Sequence, residues 1–403
     1  MVVYPLPFLV WEGILLYSMK LGARRHIHHQ LQEPAVITHL NALTGENQTS
    51  VAHGDTLEYL LRRTPYSFFA AIRTSMIREL IRSRVLDNRR LMGEYHRIAL
   101  DGSGIISYNE RHCEHCLTKK SSSTGKTIYY HMVLEAKLVT EDGLAMSVET
   151  EFIENEGPLI TKQDCELRAF YRLVPRLKKA FPQLPICLLL DGLYAAEPVI
   201  KLCEDSHWKY LINFKEGSMP VKYEEFISLC ESVQKGNRLS LSLPDNIQQD
   251  YIFATGIAHG EQTFNAIRCI EHRPEGCKQY AWITNFTVTQ EACAIIANQG
   301  GRIRWKIENQ GFNVQKNGGY NLEHAYSNHP NASKCHYLLL QIAHTINQLV
   351  ERGSMLSKET RKKIGSIRNI ARWLLESLRT VPITTEEYIA LFARPFQIRL
   401  RSP

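Results

Sequence analysis

Apolar side chains recur every three or four residues in the first part of the chain. One such segment begins at Asp55, which with Glu58 fits the pattern of a capping box, and another runs from Phe68 to Val85. Arginines are frequent on the polar face of the second segment, as expected for an amphipathic helix with a basic surface. We interpret residues 1–92 as a helical region, with DNA binding and plain packing as its alternative roles.

The period changes to that of β-strands after residue 92. Alternating and β-branched runs predict five strands and two helices, and an Asp-Gly turn at 142–143 predicts a hairpin. The strands are expected at Tyr95–Leu100, Ile128–Val139, Leu144–Ile153, Pro185–Leu190 and Trp208–Phe214, and the helices at Lys162–Phe181 and Tyr194–Asp205. Strands interspersed with helices predict an α/β protein with a mixed sheet flanked by helices.

Short strands with polar turns interrupt that order between residues 216 and 280. They are predicted at Leu239–Leu243, Gln249–Ala254 and Ala266–Glu271, and a return strand follows at Ala281–Asn285. Helical spacing resumes at Gly300–Leu322, Ala332–Arg352 and Ser357–Arg379. We therefore divide the chain into a helical region (1–92), two parts of one α/β core (93–215 and 281–352), an inserted mainly-β subdomain (216–280) and a basic helical end (353–403).

The predicted helix Gly300–Leu322 has apolar positions on two opposite stripes, which indicates burial on both sides. One stripe holds Ile303, Ile307 and Val314, and the other holds Trp305 and Phe312. Glu308 lies between the stripes, on a narrow polar line with Arg304. A buried carboxylate is costly unless it meets a cation or a metal. The alternative is an Arg304–Glu308 ion pair, one turn apart, on a solvated face.

Two further carboxylates end apolar strands. Asp101 follows the first predicted strand, Asp191 follows the fully apolar one, and a glycine comes after each. Residues just beyond the C-terminal ends of such strands face the ligand crevice, and glycine lets a ligand approach the backbone closely. Converging carboxylates repel one another, and hard divalent cations such as Mg²⁺ remove that penalty. Asp101, Asp191 and Glu308 are therefore candidate ligands for a pair of ions that supports phosphoryl transfer.

These residues together carry a resemblance to a known family. Asp101 after a first strand, Asp191 after a fourth, a β-rich insertion and the pattern RxRWxIExxF beginning at Arg302 resemble the DDE transposases of the IS4-type group of bacterial insertion sequences. The resemblance covers residues 95–350. It implies a ribonuclease-H-like catalytic core in which Asp101, Asp191 and Glu308 hold two Mg²⁺ (or Mn²⁺) ions. It also implies strand cleavage at the element ends, strand transfer into double-stranded DNA, and a homodimer on DNA.

The same resemblance implies contacts to DNA. Arg304 is expected to contact a phosphate near the cut, and Arg302 and Lys316 are the other candidates in this segment. The family's signature of Tyr, Arg, Glu and Lys is incomplete, because Gly301 stands at the Tyr position and Gln315 at the Lys position. Lys316 is one residue further along. Hairpin-forming cleavage, which some relatives use, is therefore left open.

The charge distribution independently suggests a polyanionic partner. The chain of 403 residues has a formal net charge of +7, and residues 352–403 alone carry eleven Lys/Arg against four Asp/Glu. Lys362 and Lys363, on the predicted basic helix, are the candidate DNA contacts there. Charge that serves solubility alone is the alternative.

The cysteines and the N-terminal apolar run bear on the compartment. Ten cysteines are scattered, mostly in apolar runs, which is typical of a protein in the reducing cytoplasm. The apolar run from Pro5 to Tyr17 is interrupted by Glu12 and is too short to span a bilayer. No basic flank precedes it and no cleavage site follows it, so neither a signal peptide nor membrane association is expected.

A CxxC pair, Cys113 and Cys116, is the one group of soft ligands in the sequence. With nearby histidines such as His131 it suits tetrahedral zinc. A second CxxC at finger spacing is missing from the sequence. The sequence therefore favours a loop with two ordinary thiols over a structural zinc site.

Three functions are compatible with these patterns. The first is a DNA transposase. The second is a ribonuclease-H-like nuclease or resolvase, although such nucleases are usually smaller and lack a WxIE helix behind a long insertion. The third is a transposase-derived DNA-binding protein without catalysis, against which the presence of Asp101, Asp191 and Glu308 argues. We therefore expect the first.

Overall fold

The computed structural model describes residues 4–157, 162–232, 235–354, 356–393 and 398–400. Its α-helices are α1 (Leu6–Ser18), α2 (His26–Leu31), α3 (Pro34–Thr44), α4 (Gly54–Arg63), α5 (Tyr66–Arg82), α6 (Glu166–Ala180), α7 (Glu197–Asp205), α8 (Pro220–Ser232), α9 (Gln290–Ile295), α10 (Asn313–Asn317), α11 (Pro330–Arg352), α12 (Lys358–Ile364), α13 (Ile367–Thr380) and α14 (Thr385–Ala393). Its strands are β1 (His96–Tyr108), β2 (Leu117–Lys120), β3 (Thr127–Val139), β4 (Ala145–Ile153), β5 (Ile186–Leu190), β6 (Lys209–Asn213), β7 (Arg238–Leu243), β8 (Ile247–His259), β9 (Gln262–Arg273) and β10 (Gly276–Thr284).

All ten strands belong to one mixed sheet. Its order is β2-β3-β1-β5-β6-β10-β9-β8-β7, and β4 pairs with β3 beside β2. Strands β1, β5 and β6 are mutually parallel, and the other pairings are antiparallel. All five residues of β5 are buried, in agreement with their apolar sequence. The predicted α/β class, with a mixed sheet flanked by helices, is confirmed.

The strands predicted as an insertion continue this sheet. Strand β10 pairs antiparallel with β6, from Trp282–Asn213 to Thr284–Leu211, and β9, β8 and β7 follow outward. The predicted boundary at residue 280 therefore falls inside a strand rather than between two units. Each of these strands is also longer than its apolar run, because antiparallel pairing carries it into polar residues.

The N-terminal helices pack on α11. Helix α4 begins at Gly54 with His53 as its cap, whose Nδ1 accepts from the Asp55 backbone N–H at 3.3 Å, so the predicted capping box is wrong. Glu58 turns inward instead, where its carboxylate accepts from the Ser327 hydroxyl at 2.6 Å and pairs with Arg24 at 3.2 Å. Within the described ranges, no helix has the length and apolarity needed to cross a membrane.

A buried polar cluster lies between β3 and α11. The Lys137 ammonium donates to Oε1 of Gln341 at 2.6 Å and lies 3.6 Å from Oε1 of Glu135. The other Glu135 oxygen accepts from the Thr150 and Tyr337 hydroxyls, both at 2.8 Å. Both charged side chains are fully buried. We refer to Glu135, Lys137, Thr150, Tyr337 and Gln341 as the β3–α11 polar cluster.

The segment that carries Glu308 is wound unevenly. It is π-helical over Ile296–Gly300, 3₁₀-helical over Gly301–Trp305 and π-helical again over Ile307–Phe312, before α10. The single regular helix predicted over Gly300–Leu322 is therefore wrong, although the chain does leave the helix at Gly318. The backbone of Gly300, with φ −110° and ψ −85°, separates the first two parts. The uneven winding leaves the side chain of Trp305 53% exposed, which contradicts its predicted burial.

Candidate functional site

Asp101 and Asp191 lie on neighbouring parallel strands. Strand β1 pairs with β5 from His96–Ile186 to Ala99–Leu189, a constant offset of 90 residues. Asp101 and Asp191 have the same offset, so they continue this register just where β5 ends. Neighbouring strands are about 4.8 Å apart, which places the two backbones side by side. Asp101 itself lies inside β1, not after it as predicted, because pairing with β3 carries the strand on to Tyr108.

Asp101 pairs with one arginine and lies within electrostatic range of two other carboxylates. Its Oδ1 accepts from the Gly102 backbone N–H at 3.0 Å, and its Oδ2 lies 3.4 Å from Nη1 of Arg304. Burial raises the pKa of Asp101, the Arg304 guanidinium opposes that rise, and the negative charges of Glu308 and Asp191 add to it. The fold therefore brings Asp191 and Glu308 within electrostatic range of Asp101.

Glu308 and Arg304 occupy positions that the sequence did not predict. Glu308 is exposed on its π-helical turn rather than wedged in the core. Arg304 is buried and pairs with Asp101. The described residues therefore do not form the Arg304–Glu308 ion pair that was the alternative prediction. The wider π turns rotate Glu308 relative to Arg304. The half-buried Asp101 thus pairs with a buried cation, whereas the exposed Glu308 acts on Asp101 through its charge.

Asp191 is held by the turn that follows β5. Its Oδ1 accepts from the Leu193 backbone N–H at 2.9 Å and caps a short 3₁₀ turn over Gly192–Tyr194. The glycines after the two aspartates do not leave an open space as predicted. A methyl group at Gly102 would overlap the Glu166 carboxyl, and one at Gly192 would overlap the Ser218 hydroxyl. Protein side chains therefore fill both gaps.

Glu166 is a member of this site that the sequence reasoning missed. It is the first residue of α6, and its carboxyl packs against Gly102 beside Asp101. Burial raises the pKa of Glu166 to about 7, and the charges of Asp101 and Asp191 add to that rise. An acid in the first turn of an amphipathic helix is common, so the sequence carried no distinguishing signal.

We expect Glu166→Gln to stabilise the protein at alkaline pH. The ordinary pKa of Glu166 is 4.5 and its folded value is about 7. Between these values the folded chain keeps a proton that the unfolded chain has lost, so the stability contributed by this group falls as the pH rises through that window. The variant and wild type should have the same melting temperature at pH 5. At pH 8 the variant should melt about 2 °C higher than wild type, as measured by thermal unfolding. The exposed control Glu224→Gln should show no such difference; equal melting of Glu166→Gln and wild type at pH 8 would contradict the assignment.

The carboxylates offer the right chemistry for hard divalent cations, but their oxygen atoms do not all lie close enough together to share one ion. Oxygen ligands are those that Mg²⁺ and Mn²⁺ prefer. Among the described residues, the group of three whose ligand atoms all lie within 4.8 Å of one another is Cys113, Cys116 and His131, not the acids. Ion binding at Asp101, Asp191 and Glu308 therefore requires side-chain rotation or ions shared between pairs of them.

Besides Arg304, the predicted DNA contacts are either paired within the protein or exposed to solvent. Arg302 forms an ion pair with Glu271 and its guanidinium lies 4.6 Å from the Tyr280 ring centre, and Lys316 lies 3.1 Å from a Glu323 oxygen. Arg302 and Lys316 are thus engaged within the protein. Lys362 and Lys363 are exposed on α12.

Packing explains why a residue without a side chain stands at position 301. A methyl group at Gly301 would overlap the indole of Trp282, which is buried in the core as expected. A tyrosine at position 301 is therefore excluded by packing.

Neither a protein-family model nor a curated protein matches this chain.

Proposed function

We propose that the chain is a DNA transposase of an insertion sequence, acting in the cytoplasm by metal-dependent cleavage and transfer of DNA strands. The observation that carries the proposal is that Asp101 and Asp191 continue the register of two adjacent parallel strands, and that the charges of Asp191 and Glu308 both act on the Asp101 carboxyl. Perturbed carboxyl groups that meet at the end of a parallel strand are typical of a catalytic site in an α/β protein.

The strand order supports a ribonuclease-H-like core of the DDE type. Strand β1 has antiparallel β3 and β4 on one side and parallel β5 and β6 on the other. Helices α6 and α7 connect β4 to β5 and β5 to β6. Asp101 lies on the first strand of this group and Asp191 at the end of the fourth, as in the resemblance to IS4-type enzymes.

The roles of the residues follow from their charges. Asp101, Asp191 and Glu308 would hold two Mg²⁺ or Mn²⁺ ions, which supply neutralising charge and Lewis acidity for in-line displacement at phosphorus. Arg304 balances the charge of Asp101 in the DNA-free protein. In a complex its guanidinium can pass to a DNA phosphate, whose oxygens suit the planar fork of arginine donors. Lys362 and Lys363 attract the DNA backbone through their exposed charges.

A cleavage assay tests the proposal. The full chain is incubated with Mg²⁺ and a DNA fragment carrying the inverted repeats that bracket its reading frame, and the products are resolved on a sequencing gel. We expect nicks with 3′-hydroxyl ends at the repeat termini, joined products with target DNA, and complete loss of both with EDTA. A DNA-bound homodimer, seen by light scattering of the complex, would pair the two ends.

Each other outcome has a definite meaning. Metal-dependent cleavage without joining would favour the nuclease or resolvase. Specific binding to the repeats without cleavage would favour the inactive DNA-binding protein. Absence of both binding and cleavage would refute the proposal.

A further inference from the structure

Two thiols and an imidazole converge at the edge of the sheet, away from the carboxylates. The sulfur atoms of Cys113 and Cys116 are 3.7 Å apart. Nε2 of His131 lies 3.4 Å from the first sulfur and 3.5 Å from the second. The three atoms therefore form a nearly equilateral triangle.

This triangle has the dimensions of one face of a zinc tetrahedron. Zinc bonds of about 2.3 Å to sulfur and about 2.0–2.1 Å to nitrogen, at tetrahedral angles, give edges of about 3.8 Å between sulfurs and about 3.6 Å between sulfur and nitrogen. The observed 3.7, 3.4 and 3.5 Å agree with those edges. A disulfide needs sulfurs about 2.05 Å apart, so the pair is two free thiols.

The fold holds the three side chains in place. Cys113 and Cys116 lie in the connection from β1 to β2, and β2 pairs with β3 so that Leu117 is opposite Tyr130, next to His131. The Asn155 side chain donates to the Cys116 carbonyl at 2.7 Å. The Cys113 backbone N–H lies 3.4 Å from the Cys116 sulfur, a contact that orients this sulfur toward Cys113.

The neighbouring histidines have other partners. His112 Nε2 lies 3.2 Å from the Asn328 carbonyl, and His115 Nδ1 lies 2.9 Å from the Asn155 carbonyl. A cavity of about 60 Å³ is lined in part by Cys113 and His131. This cavity is large enough to hold a water molecule beside Cys113 and His131.

We propose that Cys113, Cys116 and His131 bind one Zn²⁺, with water as the fourth ligand. Two thiolates and an imidazole form a soft donor set that selects zinc over Mg²⁺ or Mn²⁺. The ion fastens the β1–β2 connection to β3, and β1 is the strand that carries Asp101. Zinc binding is independent of the proposed DNA chemistry, because it uses different ligands and a different class of metal.

Metal content tests this proposal directly. Protein purified from zinc-supplemented cells without chelators should contain one zinc per chain by mass spectrometry of the metals. Cys113→Ser, Cys116→Ser and His131→Ala should each reduce that content at least tenfold. The exposed-thiol control Cys165→Ser should keep one zinc, as should His112→Ala and His115→Ala.

A spectroscopic measurement on the unmodified chain covers the case in which a variant fails to fold. Adding Co²⁺ to metal-free protein should give the absorption bands of a tetrahedral ion bound by two thiolates, and Zn²⁺ should abolish them. Zinc-free protein with both thiols reduced and no cobalt spectrum would overturn the proposal. So would a Cys113–Cys116 disulfide in protein isolated under thiol-blocking conditions.

Discussion

Asp191→Asn should lower DNA cleavage by about 1,000-fold or more, a loss of about 4 kcal/mol of transition-state stabilisation. The substitution removes one negative charge from the set that binds the divalent ions. It keeps the oxygen that accepts from the Leu193 N–H, so the turn after β5 should remain intact. Cleavage rates at saturating Mg²⁺, with repeat-end DNA, measure the effect.

The matched control for this variant is Asp205→Asn, which removes one exposed carboxylate at the end of α7. It should cleave at the wild-type rate. Both variants should bind the repeat ends within about twofold of wild type, because the positioning cations are untouched. Cleavage by Asp191→Asn at a rate within tenfold of wild type would disprove the role of Asp191 as a metal ligand.

Lys137→Met should destabilise the protein by about 3–5 kcal/mol, the cost of leaving a buried charge without its partner. Lys137 and Glu135 are both fully buried, with nitrogen and oxygen 3.6 Å apart. Burial lowers the pKa of Lys137 to about 8, and Glu135 opposes that fall, so the ammonium persists at neutral pH. Chemical denaturation followed by tryptophan fluorescence measures the loss.

The double variant Glu135→Gln/Lys137→Met separates charge from packing. Gln keeps the shape of Glu135 and removes its charge, so the double variant should regain most of the stability that Lys137→Met loses. The control Lys126→Met changes an exposed lysine and should have the same free energy of unfolding as wild type. If the double variant is less stable than Lys137→Met, the β3–α11 polar cluster does not act as an ion pair.

Local sequence signals predicted the elements whose cause is local. The Asp-Gly turn and the alternating runs around it predicted the β3–β4 hairpin, which the structure confirms with partners such as Val139–Ala145. The apolar run ending at Leu190 predicted the buried strand β5, which is confirmed as well. These features depend on residues close together in the chain, so a single sequence suffices to find them.

Features that depend on distant pairing could not be predicted. The apolar run ends at Leu100 and predicts a strand end there, whereas pairing of Asp101 with Glu135 keeps the following residues in β1. Glu166 joins the site only because α6 packs across Gly102. His131 is one of several histidines near Cys113 and Cys116 in the sequence, and only the fold shows that it is the one beside both sulfurs.

The helical periodicity of the sequence led to a wrong prediction for the segment that carries Glu308, and the reason there is different. A uniform 100° per residue assigned Trp305 to a buried stripe, but the change from π to 3₁₀ winding and back shifts each later residue around the axis. Gly311 permits close packing there, since a Cβ on it would lie 3.0 Å from Cδ of Lys137. Tertiary contact thus decides the winding.

The two wide turns at Ile296–Gly300 and Ile307–Phe312 make the register of this segment sensitive to its length. Adding or removing one residue without a compensating change of winding would swing everything beyond it by about 100° relative to the sheet. Glu308 would then be carried away from Asp101 with its own identity unchanged. Single-residue insertions and deletions between 296 and 307 are therefore expected to be more damaging than most substitutions, because the number of residues there determines where Glu308 lies relative to Asp101.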